Sequence, residues 1–367
     1  MTKLPDKDFC IYIIAGKEAV VLVKKYKNVI LTFILSFISV IYQLYENPFY
    51  TYCSYICLEM RCKTMSKRSP HTDYPRWNEL PYAGETEPPN DPEAPFAGSW
   101  TTYFIRYQQN EWVSAFNGKT IHFKIRHPES IDWYKQLAVV QRTQRKLTRE
   151  QKTIATYWGS GVATKQWTPI ADQLIDSYGV EAPRGARILA ALHAAINDAF
   201  VVTWSYKFKW FVARPNQLDH NLATFLCTPR HPSYPSGHAA VAGAAETVLS
   251  YFFPAERRRL HELAEEAAQS RLYAGVHFPV DNEQGLRLGR QVGELAVDQL
   301  REERDTEDHN IDTPYRHSAN VKLTPPPYEQ VIPFEFDDHC DSLTMNEDYR
   351  EKKSAPTANK HKPKLFY

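Results

Sequence analysis

The sequence lacks a strong charge imbalance, a dense set of cysteines and an internal repeat. Its 367 residues carry 44 Lys+Arg against 43 Asp+Glu, a formal net charge of +1, so composition gives no case for a nucleic-acid-binding protein. Six cysteines are too few for a disulfide-stapled scaffold, and the absence of a CxxC pair argues against a zinc ribbon. A hydrophobic content of 43% with 13% aromatic residues excludes a wholly disordered chain.

The first 64 residues differ in composition from the rest. They hold four of the six cysteines, none of the 13 histidines and an apolar run of 17 residues at 29–45. That length is the short end of a membrane-spanning helix, about 17–25 residues. Lysines precede the run, so it predicts a single-span anchor with the following domain on the extracytoplasmic side. The alternative is that 1–64 is not part of the mature protein, which is then soluble, because Met65 opens a polar stretch typical of a natural start.

Composition divides the chain into four regions. They are the hydrophobic extension 1–64, a Pro-rich lead-in 65–99, a folded domain 100–303 and a charged, Pro-containing tail 304–367. The folded domain opens with two alternating stretches on either side of Asn117-Gly118, a dipeptide typical of type I′ turns. A small β-hairpin is therefore predicted at its N-terminal end.

Every later strong signal in the domain is helical. Ser130 and Thr168 are predicted helix caps, and Thr148 with Gln151 forms a capping box. Pro183 opens a long, Ala-rich and mostly apolar helix, the central member of a bundle. Three further helices are predicted near 236–252, 255–275 and 279–303. The predicted fold class is all-α, a helical bundle with one β appendage.

Three polar segments stand out because a helical core does not need them. They are Lys207–Arg214, Pro235–His238 and Ser270–Asp281. The lysine and arginine of the first segment are seven residues apart among aromatic residues, and the second segment enters an alanine-rich helix. Each segment alone is more typical of a structural role, but together, in this order and spacing, they predict one site.

The residue types in these segments suit a tetrahedral oxyanion. Lys207, Arg214 and Arg271 supply three positive charges, and the planar guanidinium of arginine pairs with two oxygens at once. The Ser236 hydroxyl and the Gly237 amide lie where a helix begins, with donors and the positive end of the helix dipole pointing outward.

Two histidines complete the predicted site. His238 directly follows the glycine and can face the same anion as a proton donor. Pro279 suits the first turn of a helix, which places His277 at its entry and Asp281 within that turn. The carboxylate can then hold one ring N–H of the imidazole and leave the other nitrogen unprotonated, as a nucleophile or metal-oxide ligand requires.

The remaining histidines are predicted to have structural or surface roles. His193 lies in an apolar helical run, which is typical of a hydrogen-bonded core histidine. His220, His231 and His261 carry no comparable pattern.

The motifs Lys-x6-Arg-Pro, Pro-Ser-Gly-His and Ser-Arg-x5-His-x3-Asp resemble a known superfamily over about residues 130–303. It joins type 2 phosphatidic acid phosphatases, bacterial non-specific acid phosphatases and vanadium haloperoxidases, and the chain is most similar to its soluble branches. The resemblance implies a helical bundle and one pocket for phosphate or its isostere vanadate. It implies these anion ligands: Lys207, Arg214, Ser236, Gly237, His238 and Arg271. It also implies that His238 is the acid–base group, His277 the nucleophile or axial vanadium ligand, and Asp281 its orienting partner.

Two chemistries remain open for such a pocket. A phosphatase hydrolyses a phosphate monoester through a phosphohistidine and needs no cofactor, whereas a haloperoxidase holds vanadate and oxidises halide with hydrogen peroxide. The partners are therefore small molecules in either case. Arg271 follows His238 by only 33 positions, whereas well-known haloperoxidases carry a longer insertion there, which favours the phosphatase.

The aromatic surroundings of Lys207 resemble the haloperoxidase branch instead. A third interpretation is a non-catalytic phosphate- or vanadate-binding protein. The full set of His238, His277 and Asp281 argues against it, because anion binding alone does not need two differently supported histidines. The substrate and the oligomeric state do not follow from the sequence.

Overall fold

Eight α-helices and one three-stranded sheet form the regular structure of residues 73–332 and 340–345, the part that this computed structural model describes. The helices are α1 Trp133–Arg145, α2 Arg149–Gly159, α3 Trp167–Ser177, α4 Ala182–Trp210, α5 Pro215–Leu218, α6 Gly237–Phe252, α7 Arg257–Tyr273 and α8 Pro279–Glu302. The strands are β1 Ile105–Gln108, β2 Glu111–Ser114 and β3 Thr120–Ile121. The all-α fold with a small β appendage is thus confirmed, while the apolar run 29–45 lies outside the described residues.

The core forms where α4, α6 and α8 pack against one another. Helix α6 is rich in alanine and almost wholly buried, so its neighbours approach its backbone closely. A Cβ atom added at Gly289 of α8 would collide with the carbonyl oxygen of Ala240, and one at Gly243 would lie 2.9 Å from the Arg290 amide nitrogen. Glycines on both helices therefore permit the close contact that brings the amino ends of α6 and α8 together.

Most of the predicted helix starts and capping residues are present, but two of the predicted caps are wrong. The Thr148–Gln151 capping box begins α2, and Pro183 and Pro279 lie in the first turns of α4 and α8. Ser130 does not cap α1. Its hydroxyl donates to the His127 carbonyl within a 3-10 turn, and Asp132 accepts the Lys135 amide as the actual cap.

Thr168 is likewise not a cap, because α3 begins one residue earlier at Trp167.

The sheet also differs in detail from the predicted two-strand hairpin. Strand β1 pairs antiparallel with β2, and β2 pairs with β3. A type I′ turn needs two consecutive residues with positive φ, but only Gly118 of the pair has one, +68°. The connection is therefore the four residues 115–118, and the Ser114 amide donates to the Lys119 carbonyl at its base.

Segments outside the helical domain contribute to its packing. Trp77 and Tyr82 of the lead-in are buried, and the Trp77 indole donates to the Tyr82 hydroxyl. Beyond α8, Tyr315 stacks on Phe253 with ring centroids 5.3 Å apart. A disulfide joins Cys227 to Cys340, 113 positions later. The four-region division stays a prediction, and the described parts of its flanks contact the helices.

One helix of the described residues, α4, is long and apolar enough by length and composition to cross a membrane. Its apolar window is 61% buried inside the protein, as in the core helix of a globular domain.

Candidate active site

The positions at which the helices begin and end place the three motif segments at one end of the domain. Helices α6 and α7 pack together and are joined by only four residues, 253–256. The amino end of α6, with His238, therefore lies near the carboxyl end of α7, with Arg271. Helix α8 begins nearby, since the Ser236 amide donates to the Asp281 carbonyl at 3.0 Å.

His277 is held through both of its ring nitrogens. Nδ1 lies 2.9 Å from Oδ2 of Asp281, and Nε2 lies 3.1 Å from Nη1 of Arg214. Because arginine can only donate, Nε2 must be the unprotonated nitrogen and Nδ1 must carry the hydrogen. Burial, together with Arg214 and Lys207, lowers the pKa of His277 well below its usual value. The neutral imidazole thus presents the tautomer that the sequence predicts.

Asp281 is wholly buried, and its Oδ2 receives three hydrogen bonds. Besides the His277 bond, Oδ2 accepts from the Ser233 hydroxyl at 2.5 Å and from the Phe278 amide at 3.0 Å. Burial raises the pKa of Asp281 to about 6, while the Ser233 bond and Lys207 act in the opposite direction. Ser233 is therefore a supporting residue of the site, one that sequence analysis missed.

The guanidinium of Arg214 is almost fully engaged by the protein. Nε donates to the His231 carbonyl at 2.9 Å, and Nη1 donates to the Val276 carbonyl at 2.8 Å as well as to Nε2 of His277. Nη2 lies 3.0 Å from Nδ1 of His231. Of the five N–H bonds of this side chain, one on Nη2 has no acceptor among the described residues.

Lys207 lies at the end of α4 with no exposed surface. Its Nζ donates to the carbonyl oxygens of Pro232 at 2.6 Å and Ser233 at 2.8 Å. Burial, and then the nearby Arg214, lowers its pKa well below the usual value. The lysine thus fixes the chain just before the second motif.

Arg271 and His238 carry buried nitrogens with no hydrogen-bond partner among the described residues. These are Nε and Nη1 of Arg271 and Nε2 of His238. Burial lowers the pKa of Arg271 to about 9, and burial with Arg271 and Arg214 lowers that of His238 well below normal. Buried polar groups are nearly always paired. The two Arg271 nitrogens can only donate, so they indicate a ligand that accepts hydrogen bonds.

Ser236 and Gly237 form the start of α6. The Ser236 hydroxyl oxygen accepts the Ala239 amide at 3.4 Å and keeps its own hydrogen available. A Cβ atom on Gly237 would lie 3.2 Å from the Trp204 ring, so glycine keeps the approach to its amide open.

A cavity of about 590 Å³ collects these groups. Gly237, His238, Arg271 and His277 line it, whereas Lys207, Arg214, Ser236 and Asp281 are not in its wall. Carboxylates of the lead-in and the C-terminal segment form another part of the wall: Glu85, Asp91, Glu93 and Asp341. The motif residues include three basic side chains, Lys207, Arg214 and Arg271, but one carboxylate, Asp281, a balance that suits an anion.

Sequence analysis missed several residues of the cavity wall. His231 was predicted to be structural or surface, but it is 7% exposed and lines the cavity. Its position seven residues before His238 carries no local signal. The wall residues near 85–93 and 340–341 come from distant parts of the chain, and local patterns cannot report such contacts.

Comparison with known proteins gives partial matches. The sequence profile of the PAP2 superfamily matches residues 187–304. Vanadium-dependent bromoperoxidases of Corallina officinalis and Corallina pilulifera are 34% and 35% identical over 92 aligned residues. Each alignment covers 18% of this chain and 15% of the relative, so the match spans less than a fifth of the curated relatives' length.

Solved structures align over larger shares of the chain. The first bacterial vanadium-dependent iodoperoxidase aligns with 61% of this chain and 60% of its own, at 24% identity and a TM-score of 0.46. A transmembrane PAP2-type phosphatidylglycerolphosphate phosphatase from Bacillus subtilis aligns with 46% of this chain and 86% of its own, at 19% identity and a TM-score of 0.36.

Proposed function

We propose that this chain, whose residues 187–304 belong to the PAP2 superfamily, hydrolyses a phosphate monoester through a phosphohistidine on His277. Members of the superfamily are phosphatases or vanadium haloperoxidases. A cavity of about 590 Å³ is of a size that suits a small organic phosphate.

One observation carries the proposal. The neutral, oriented imidazole of His277 and the unpartnered nitrogens of Arg271 and His238 line the same cavity. A nucleophile with a fixed tautomer, beside the unpartnered guanidinium donors of Arg271 and a second histidine that can exchange a proton, is the arrangement that covalent phosphoryl transfer requires.

In the first step, Nε2 of His277 attacks phosphorus, forming a P–N bond as the ester P–O bond breaks. Arg214 must release its hydrogen bond to Nε2 and can then donate to a phosphate oxygen, as Arg271 does. His238 gives a proton to the departing alkoxide. Burial is the largest cause of the low pKa of His238, and the nearby cations add to it. A bound phosphate dianion would counteract the contribution of these cations.

In the second step, His238 accepts a proton from water as that water attacks the phosphohistidine. The P–N bond breaks and inorganic phosphate leaves with the His277 tautomer restored. Asp281 stays hydrogen-bonded to Nδ1 throughout and stabilises positive charge on the ring.

The short connection between α6 and α7 favours the phosphatase over the haloperoxidase. Only residues 253–256 join the two helices, so no inserted segment between His238 and Arg271 is present to reshape the cavity. Simple sequestration of phosphate is disfavoured, because it would need neither the His277–Asp281 pair nor a second histidine.

Vanadium-dependent halide oxidation is the second candidate, favoured by the 34% and 35% identity to two vanadium-dependent bromoperoxidases over 92 residues. Vanadate is a tetrahedral oxyanion like phosphate, and the unpartnered nitrogens of Arg271 and His238 fit it equally well. His277 would be its protein ligand, with Lys207, Arg214 and Arg271 balancing its charge. Bound vanadate would supply the activation of peroxide, while His238 would hold or move the proton.

Two assays of purified protein test these candidates side by side: p-nitrophenyl phosphate hydrolysis and vanadate-dependent bromination of a dye. We expect hydrolysis that His277→Ala abolishes and His220→Ala, at an exposed position, leaves intact. Bromination without hydrolysis or a trapped phosphoenzyme would establish the haloperoxidase instead. Phosphate binding without either activity would leave the binding-protein interpretation.

A further inference from the structure

His231 contacts Arg214 from two directions. Its carbonyl oxygen accepts from Nε of Arg214 at 2.9 Å, and its ring nitrogen Nδ1 lies 3.0 Å from Nη2. One residue therefore holds two edges of the same guanidinium. The superfamily motifs that run through Lys207, Ser236 and Arg271 do not include this histidine.

The hydrogen bond to Arg214 indicates which nitrogen of His231 carries the hydrogen. Arginine only donates, so the ring nitrogen that faces Nη2 accepts. Nδ1 is the nearer of the two, at 3.0 Å against 3.4 Å for Nε2, which favours Nδ1 as the acceptor, although Nδ1 also lies 3.2 Å from the Pro232 carbonyl oxygen. Nε2 lies 4.0 Å from a carboxylate oxygen of Glu93, the correct side for an N–H. Burial, with Lys207 and Arg214, lowers the pKa of the ring well below its usual value, so the neutral form is the one present.

The ring is also held in place by packing. Its centroid lies 4.7 Å from that of Trp204 in a tilted contact, and the Trp204 indole donates to the Glu93 carbonyl at 3.3 Å. His231 is therefore fixed on one side by an aromatic ring and on another by the lead-in.

The orientation of Arg214 has two consequences for the site. Its Nη1 donates to the nucleophilic nitrogen of His277, and its Nη2 keeps one N–H that no described residue accepts. Rotation of the guanidinium would break the first contact and turn the second donor away. The His231 ring holds Nη2, the nitrogen that carries this remaining donor.

We propose that His231 is a positioning residue that orients Arg214, so that one guanidinium meets both His277 and the bound oxyanion. The inference rests on the proposed function, because it takes the anion of that site as its ligand. It applies equally to a phosphate ester and to vanadate, which share this chemistry.

Two substitutions at one position test the role. Hydrogen bonds to charged groups contribute about 1.5–3 kcal/mol, which corresponds to roughly 10- to 100-fold in affinity. His231→Ala should weaken binding of inorganic phosphate by that factor and raise KM more than it lowers kcat. His231→Asn, whose amide oxygen can replace Nδ1 as an acceptor, should recover most of the loss. Phosphate affinity is measured by calorimetry and kinetics with p-nitrophenyl phosphate, with His220→Ala as the matched control.

The outcomes separate this inference from the proposed function. Unchanged phosphate affinity in a folded His231→Ala protein would overturn it, and so would a His231→Asn protein as weak as the alanine variant. If the alanine variant does not fold, His231→Gln takes its place in the comparison. Its amide reaches the position of Nε2 and not that of Nδ1, so this variant should bind phosphate more weakly than His231→Asn. A native chain that binds phosphate without hydrolysing the ester refutes the proposed function alone, whereas one that binds no phosphate refutes both.

Discussion

At the scale of single residues, the two histidines that we propose to be catalytic differ in what supports them, and their substitutions should differ accordingly. His277→Ala removes the attacking atom and should abolish the phosphoenzyme. His238→Ala should spare its formation from substrates with good leaving groups, which need little protonation. The water step then loses its base, typically a 10²–10⁴-fold effect, so phosphoenzyme should accumulate.

Radiolabel trapping after a rapid quench in alkaline detergent, in which the P–N bond survives, measures the phosphoenzyme in each variant, with His220→Ala as the control. Trapping in the His277 variant but not in the His238 variant would reverse the assigned roles.

The buried histidines also make stability depend on pH. His231, His238 and His277 have folded-state pKa values well below 6.5, so the unfolded chain binds more protons over the window between the two values. Their contribution to stability is complete above about pH 6.5 and is lost as pH falls through that window. Asp281, with a pKa raised to about 6, acts in the opposite direction between pH 3.8 and 6.

Comparison of native protein with His238→Asn isolates the histidine contribution. In phosphate-free buffer, Tm of the variant should fall less steeply than that of the native protein between pH 7 and pH 5. Equal slopes in thermal scans would show that His238 is not buried in its neutral form.

At the scale of elements, the close contact of α6 with α8 sets the spacing between two motif segments. Gly289→Ala places a methyl group against the Ala240 carbonyl, and such overpacking typically costs about 1–3 kcal/mol. We expect a lower free energy of unfolding in urea and a lower kcat, because the two helix starts move apart. Arg287→Ala, exposed on the same helix, is the control. A Gly289→Ala protein of native stability would show that the helices can separate without cost.

The disulfide ties the C-terminal segment to the wall of the cavity. The Leu343 amide donates to the Ala83 carbonyl, and the Thr224 amide donates to the Leu343 carbonyl at 3.1 Å, so residues 340–345 link the lead-in to the loop before the second motif. Loss of a native disulfide typically costs about 2–5 kcal/mol, more for long loops. The Cys227–Cys340 bond closes 113 positions.

Cys340→Ser should therefore lower Tm substantially, as should treatment of the native protein with a reductant. The same reductant should leave the Tm of the variant unchanged, which calorimetric scans of both proteins would show. A further drop in the variant would mean that the reductant acts elsewhere.

The helix starts were predictable because their signals are local. Pro183, Pro279 and the Thr148 capping box act within one turn of backbone, and the order of motifs follows from them. The roles of His231 and Cys340 were not predictable, because each depends on a distant partner. The partner of His231 lies 17 residues earlier in the chain, and the partner of Cys340 lies 113 positions earlier. Three-dimensional proximity of that kind leaves no periodic trace in a single sequence.

At the scale of the whole molecule, the composition break near residue 65 separates two parts of the chain. A chain that begins at Met65 should fold and retain the activity of the full protein, because the three motif segments lie at 207–281 and the composition of 1–64 differs from that of the folded domain. If 29–45 is an anchor, only the full chain should sediment with membranes. Fractionation and activity of both chains measure this, and an unfolded short chain would show that 1–64 is part of the domain.

The wall of the cavity is built from residues inside the range 187–304 and from residues outside it, and this division bears on how substrate preference can change. The predicted oxyanion-binding residues, from Lys207 to His277, all lie inside residues 187–304. Glu85, Asp91, Glu93 and Asp341 come from segments outside that range. Changes in the outer segments can therefore alter which molecules are admitted while the reacting groups stay in place. Engineering or evolution could therefore change the substrate range of this protein by substitutions in these outer segments, with the motif residues unchanged.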